Sequence, residues 1–495
     1  MAPSPTGYLH LGHAKAYLVN YALAKSVDGE FILRIEDTDT KRNKMETVDS
    51  LIEDCSWLGI SYDKGPKKGE KNEYFQSERF AIYKKYVDEL LEKGLAYKAY
   101  ETPEERAAQI EAQRKKGGTA VYSGAHRDLT PEQQAAYEVE GRKPVVRLKV
   151  PQNEIISFHD GIYGDVKVNT NTIGDIVIQK SDGTPMYNFC VVIDDHLMGV
   201  TDVIRGFGHL SNTPKQIAIY KIFGWEIPHF AHFSDLLNED GQGKLSKRKG
   251  AKAISRYRAV GYLADAIFNY IMVISCSFTF AGKDEEVMTR DEIYKRLTVD
   301  KVLKTNARFD PKKLDWFNGQ HIRKISPQEF ESVVINWLQN DAKGLKEFEQ
   351  TFDESIVDEF LRNQEILKKA LPLVQERINS LSDIIPSLRF MIEPPKPENI
   401  DISPARHEAQ EFDSIAKKLY NTVQNLGTPW SQEEWESAIR GLGDESGWKH
   451  GDVFMALRLM IVGDRFSPPL FEAMNILGRD VCTKRIGDYI QSKSN

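Results

Sequence analysis

Apolar positions mark out the elements before any chemistry is considered. Leu9, Leu11, Ala14, Leu18, Ala22 and Leu23 recur near helical spacing, so a helix is expected from about Leu11. It cannot start earlier, because Pro3, Pro5 and Gly7 break the segment before it. Glu30 to Ile35 is a short run of bulky residues that predicts a strand ending at Glu36. With the helix between them, the first segment and this run form one βαβ unit of a parallel sheet. Helices are expected over Met45 to Leu58, with Val48, Leu51, Ile52 and Cys55 on one face, and over about Ser77 to Lys93. Thr38 or Asp39 is expected to cap the first of these.

From about 96 to 185 the rhythm changes. A charged helix from Pro103 to Lys116 gives way to a Gly-rich stretch and then to alternating strands at Val145 to Val150, Ile155 to Phe158 and Asp175 to Gln179. This predicts an α+β insertion. The α/β pattern resumes with the apolar run Met186 to His196, in which Tyr187 can be read as a half-buried strand tyrosine. Val203 to Arg205 and a helix from Thr213 to Phe223 follow, with Thr213 as its cap and Pro214 at its start. From Ile254 onward the pattern is helical. Ile356, Phe360, Ile366, Leu367, Leu371, Val374, Ile378 and Leu381 trace one stripe, and Glu393 to Pro397 is a stiff linker.

Composition narrows the class without choosing a function. A chain of 495 residues predicts roughly three to five domains. No apolar run approaches the ~20 residues needed to span a bilayer, so no membrane contact is expected. The N-terminus has neither signal nor transit character, which places the protein in the cytoplasm. Four scattered cysteines without a CxxC argue against a disulfide frame or a thiolate zinc site. The net charge of −7 speaks against nonspecific nucleic-acid binding but not against a structured RNA, which local basic patches can read.

Two segments carry candidate chemistry. His10 and His13 flank Gly12 on the first turn of the predicted helix, where free backbone N–H groups and the macrodipole favour an anion. Far downstream, Asn238 to Lys249 is a glycine-bearing loop in which Lys244, Ser246 and Lys247 can close over a triphosphate. Each alone is commonplace: an amphipathic helix with two surface histidines, and a solvated basic loop. Together, Ala2-Pro3-Ser4-Pro5-Thr6-Gly7 with His10-Leu11-Gly12-His13, and Lys244-Leu245-Ser246-Lys247-Arg248, resemble the paired HIGH and KMSKS signatures of class I aminoacyl-tRNA synthetases. The variant resembles the glutamyl-tRNA synthetase branch, and the likeness runs through almost the whole chain.

That resemblance implies an α/β fold: a Rossmann-like parallel-sheet catalytic domain (1–95 and 186–243) with an α+β acceptor-end-binding insertion (96–185). A KMSKS loop and helical stem-contact domain (244–325) and an all-α anticodon-binding half (326–392 and 393–495) complete it. It implies activation of L-glutamate by ATP with Mg2+, then transfer to the terminal adenosine of tRNA(Glu), with tRNA(Gln) as a second acceptor to consider, by a monomer without a covalent protein nucleophile. His10, His13, Lys244 and Lys247 would stabilise the first transition state. Ala2, Ser4, Glu36, Tyr187, Val191 and Arg205 would hold glutamate, with Glu36 on its ammonium. Gly12, Leu237 and Ser246 would join the histidines and lysines around ATP. Some members carry a zinc knuckle in the insertion; Ala99, Glu101 and Ala125 stand in that neighbourhood, and no zinc is expected. Members also carry a strand with a substrate-binding arginine ahead of Ala2, so the start is expected to have been assigned too late. Phe207-Gly208 replaces acidic residues usual in the family. No arginine stands at Tyr420-Asn421-Thr422, where the family can place a discriminating one. An inactive tRNA-binding relative is the rival reading.

Overall fold

The computed structural model describes residues 1–5, 7–39, 44–115, 121–246, 250–348, 353–426 and 431–493. The chain divides into two compact units, Met1–Ile254 with Phe268–Asp310, and Ser255–Ile267 with Pro311–Asn495.

In the first unit the helices include α1 (Leu11–Ser26), α2 (Met45–Trp57), α3 (Phe80–Glu92), α4 (Pro103–Lys115), α5 (Pro131–Val139), α6 (Tyr187–Leu197) and α7 (Thr213–Phe223). The strands are β1 (Ala96–Ala99), β2 (Val145–Leu148), β3 (Ile155–Asp160), β4 (Gly164–Asn169), β5 (Val177–Gln179), β6 (Asp202–Gly206), β7 (His229–Phe233), β8 (Leu236–Leu237) and β9 (Ala307–Arg308). Helix α1 begins where the proline-rich segment ends and buries Leu11, Ala14, Leu18 and Ala22. The run before Glu36 is extended but is no regular strand among the described residues. It makes isolated parallel bridges, Ile32 to Lys64 and Ile35 to Phe75. On its other side the amides of Arg34 and Glu36 donate to the carbonyls of Met1 and Pro3 at 2.9 and 2.8 Å. The βαβ crossover through α1 is therefore present in outline.

Strands β6 and β7 pair in parallel, and β3 joins β7 in parallel through Asp160 and Phe230. The hairpin β3–β4 thus belongs to the sheet order β4-β3-β7-β6, although the expected insertion enclosed it. The rest of that segment forms a separate antiparallel sheet, β1-β2-β5. Around its cysteine-free loop, the Tyr122 hydroxyl donates to Glu101, the Tyr100 amide donates to His126 Nδ1 at 2.9 Å, and Arg147 lies 3.6 Å over the Tyr122 ring.

Several local expectations are corrected. The run from Met186 is helix α6, not strand, with Phe189 to Asp195 all buried. Neither Thr38 nor Asp39 caps α2; Lys44 takes the cap position with no side-chain bond. The neighbouring Asp37 is spent on Ser77, accepting from its amide at 2.8 Å and its hydroxyl at 2.6 Å. Thr213 is the first residue of α7 and not its cap, and its hydroxyl turns inward.

The second unit is helical. Its interior divides into one core running from Ile322 to Met391 with Ala473, and another from Ile400 to Tyr489. The linker at 393–397 lies between them in sequence. The expected single stripe is split over short helices, Ser355–Arg362 and Gln364–Ala370, because the chain turns at Asn363 and Pro372. Its apolar members nevertheless share one core. Buried Arg485 spans the two, donating to the carbonyl of Ile461 at 2.6 Å and to that of Phe390 at 2.6 Å.

In the first unit α6 is fixed by a buried carboxylate. Asp194 accepts from Gln76 at 2.8 Å, Arg79 at 2.7 Å and Tyr83 at 2.8 Å. Removing a buried acceptor leaves its donors stranded at a cost of ~3–5 kcal/mol. Asp194→Ala is expected to lose that much stability, read as an earlier urea transition of this unit.

Candidate functional site

One cavity of about 540 Å3 lies in the first unit, and it gathers most of the residues singled out in the sequence. Gly12 and His13 reach it from the tip of α1, Ala2 and Ser4 from the N-terminal segment, Tyr187 and Val191 from α6, and Arg205 from the end of β6. Glu36 and Lys244 also line it. His10 does not; it is 2% exposed and its ring stacks on His13 with centroids 4.0 Å apart. It supports the second imidazole from beneath.

The basic loop meets the helix tip directly. Leu245 donates its amide to Leu236 at 2.7 Å, and Leu237 bridges to Lys244, which turns the loop back over β8. Further along, His10 bridges to Ala253 and the Ile254 amide reaches the Leu9 carbonyl at 2.9 Å. A Cβ on Gly12 would stand 2.9 Å from the Leu245 oxygen, closer than real Cβ contacts come, so only glycine fits. Leu237 itself is half-buried and Leu236 takes its place on the cavity wall. Ser246 accepts the Ala251 amide at 3.1 Å. Lys247 lies outside the described residues.

Charge in the cavity is mixed. Lys244 sits 2.8 Å from the Asp235 carboxylate, which lines the cavity too. Burial pushes the Glu36 carboxyl from its ordinary 4.5 up to about 7, with the nearby Arg34 working against the rise. Arg34 cannot fully compensate it, being held by Asp195 at 2.7 Å and Asp194 at 3.6 Å. Burial likewise pushes the Tyr187 phenol up to about 12; its oxygen lies 3.1 Å from His209 Nδ1. Arg205 donates from Nη2 to Thr213 at 2.7 Å and Gln216 at 2.8 Å, and from Nε to His232 at 3.2 Å.

Sequence reasoning did not single out Lys15, Asp235, His209 or His232. Lys15 follows the helix tip, is 1% exposed, and donates to the Ser234 carbonyl at 2.7 Å. Burial lowers its ammonium to about 8. Its position just past His13 was the one available signal; the others depend on which strands lie side by side. Phe207 stays outside the cavity, 44% exposed, with its ring 4.8 Å from that of Tyr163.

A helix tip with stacked imidazoles and a lysine loop closed onto it, at the ends of parallel strands, has the N–H donors and cations that a polyphosphate requires. Residues 1–316 match the family model for the catalytic domain of class I tRNA synthetases (E and Q), and residues 332–490 match an anticodon-binding domain. The fold is thus that of a class I aminoacyl-tRNA synthetase. A glutamate–tRNA ligase from Symbiobacterium thermophilum is 37% identical over 500 residues, covering 99% of this chain and 98% of the relative. Another, from Bacillus licheniformis, is 38% identical over 493 residues, with 99% and 98% covered. The crystal structure of a glutamate tRNA ligase from Elizabethkingia meningosepticum in complex with its amino acid superposes with a TM-score of 0.81 at 31% identity, covering 99% of this chain and 98% of that one. The chain belongs to the glutamate–tRNA ligase family.

The raised Glu36 carboxyl carries a stability signature. With a folded pKa near 7 against an ordinary 4.5, its contribution is complete below 4.5 and is lost as pH rises through 7. Glu36→Gln, which cannot ionise, is expected to melt like the parent at pH 4. At pH 8 it should be more stable by on the order of 2 kcal/mol, measured by thermal unfolding across that range.

Proposed function

We propose that this cavity joins L-glutamate to ATP and passes the activated amino acid to tRNA(Glu). The observation that carries the reading is the convergence of Gly12, His13 and Lys244 on one cavity with Glu36, Tyr187 and Arg205. The glutamate α-carboxylate attacks the α-phosphate, a P–O bond forms, and pyrophosphate leaves with the bonding pair. The 2′-hydroxyl of the terminal adenosine then takes the glutamyl group, and AMP departs.

His13, backed by His10, and Lys244 neutralise the charge that shifts toward the leaving pyrophosphate, and the α1 amides add to it. Lys247 shares this task by its place in the Lys-Leu-Ser-Lys run, and Leu236, in place of Leu237, borders the nucleotide. Glu36 holds the ammonium of glutamate, and that cation draws the raised carboxyl back into its ionised form. Tyr187 and Arg205 take carboxylate oxygens, while Ala2, Ser4 and Val191 complete the wall. A site that would leave such groups buried and unmatched rejects uncharged analogues sharply. Among the described residues no three His, Cys, Asp or Glu side chains are grouped to hold a metal. Magnesium, which keeps to phosphate oxygens and a few carboxylates, suits entry on the triphosphate, where it supplies charge neutralisation. No helix of the described residues is long and apolar enough to cross a membrane, consistent with work in the cytoplasm.

The helix Ala409–Asn425 has no arginine at Tyr420 to Thr422, and this supports a second acceptor, tRNA(Gln). Charging purified tRNA(Glu) and tRNA(Gln) side by side is expected to load glutamate on both; loading of tRNA(Glu) alone overturns the second acceptor.

ATP–pyrophosphate exchange with glutamate, run with and without tRNA, tests the main reading. Lys244→Ala is expected to lower kcat on the order of 10²-fold with the KM for glutamate nearly unchanged. Glu36→Gln should instead raise that KM. Absence of any glutamate-dependent exchange or charging by the parent chain would favour an inactive tRNA-binding relative.

A further inference from the structure

We propose that Asp160 and His232 form a buried positioning pair that fixes the hydrogen-bonding pattern of Arg205, and with it the grip on the substrate carboxylate. The proposal rests on the reading of Arg205 as a carboxylate ligand. His232 lies on β7 directly across from Arg205 on β6, and it is fully buried. Its Nδ1 is 2.5 Å from Asp160 Oδ2 on the adjoining β3. The other carboxylate oxygen, Oδ1, is held by the amides of Ile162 at 3.0 Å, Tyr163 at 2.8 Å and His232 at 3.3 Å.

The geometry admits one proton arrangement. An ionised carboxylate only accepts, so Nδ1 of His232 carries the hydrogen. Arg205 Nε lies 3.2 Å from His232 Nε2 and can only donate, so Nε2 presents its lone pair. The Thr213 hydroxyl, 3.0 Å from Nε2, accepts from Arg205 Nη2 and is free to donate in the same direction. An imidazolium would aim an N–H at the N–H of Arg205, so the pair works with a neutral ring. Burial alone would raise the Asp160 carboxyl, but the bonds from His232, Tyr163 and Ile162 outweigh it and hold the group below its ordinary value.

The consequence reaches the cavity. Both Nη2 hydrogens of Arg205 go to Thr213 and Gln216, and its Nε hydrogen goes to His232. Tyr187 also hydrogen-bonds this guanidinium, and the hydrogens that remain on Nη1 are what a substrate carboxylate can draw on. A guanidinium that cannot rotate meets that carboxylate in one orientation, which lowers the ordering cost of binding.

Asp160→Asn is the decisive variant, because it keeps the shape and reverses the pattern. The backbone amides hold the asparagine oxygen at the Oδ1 position, so its NH2 faces Nδ1. The ring hydrogen must then move to Nε2, where it opposes the Arg205 N–H, the wrong-tautomer effect of such a swap. The KM for glutamate in pyrophosphate exchange is expected to rise about tenfold or more, with the KM for ATP within about twofold. His232→Asn keeps a donor toward Asp160 but removes the acceptor, and should show the same rise. His232→Gln places an oxygen near the Nε2 position and should recover part of it.

Arg205→Lys separates the two layers of the argument. If it leaves the glutamate KM unchanged, the reading of Arg205 is wrong and the pair has no carboxylate to serve. If it raises that KM while Asp160→Asn and His232→Asn do not, the positioning pair is overturned. A merely structural role predicts a lower melting temperature with both KM values moving together, or with neither moving, and no difference between His232→Asn and His232→Gln; that result also overturns the proposal. Should Asp160→Asn fail to fold, the contrast between the two His232 variants decides.

Discussion

The site depends on a contact in which there is no room for a methyl group. Gly12 lets the Leu245 carbonyl come within the distance a Cβ would forbid, so the helix tip and the lysine loop share one wall. Backbone bonds on either side, Leu9 with Ile254 and His10 with Ala253, hold that approach without side chains. Residues more than two hundred positions apart are thereby set around one space, and the spacing no longer depends on flexible lysine stems. Preorganised donors act on developing charge without being rearranged first, and that is worth most where water is excluded.

The cavity balances two opposite demands. A triphosphate calls for cations, and an amino acid calls for both signs within a few ångströms. In the proposed reading the charges along the cavity are given different partners. Arg34 is paired with Asp194 and Asp195, and exposed Lys244 with Asp235, whereas burial raises Glu36 more than its neighbours lower it. A carboxylate left in that condition gains most from a ligand that brings its own positive charge. In the proposed reading, that raised carboxyl is what favours a ligand carrying an ammonium.

Much of this was legible in the sequence, and the misses have physical causes. The span of α1 followed from apolar spacing and from Pro3, Pro5 and Gly7 ahead of it, and α7 followed from its Pro214 start. The run in α6 misled because a helix buried on nearly every side shows no polar face, and Val191, Val192 and Ile193 favour strands equally well. Local capping rules failed at Thr38, Asp39 and Thr213; at Thr213 the side chain has a tertiary partner in place of a helix end. Gly12, Glu36, Tyr187, Arg205 and Lys244 were singled out through motif and resemblance, and all five line the cavity. Asp160 and His232 could not be, since nothing in their own neighbourhoods marks them; their meaning arises only when β3, β7 and β6 lie side by side.

The helical half holds a smaller device of similar economy. Phe390 and Ile461 stand in the last turns of the helices Ile384–Ile392 and Val453-bearing His450–Val462, where carbonyls lack partners of their own, and Arg485 closes both. One guanidinium therefore serves as the C-terminal stopper of two helices whose side chains belong to separate interiors. The two interiors are thereby stitched through backbone oxygens by a side chain that belongs to only one of them.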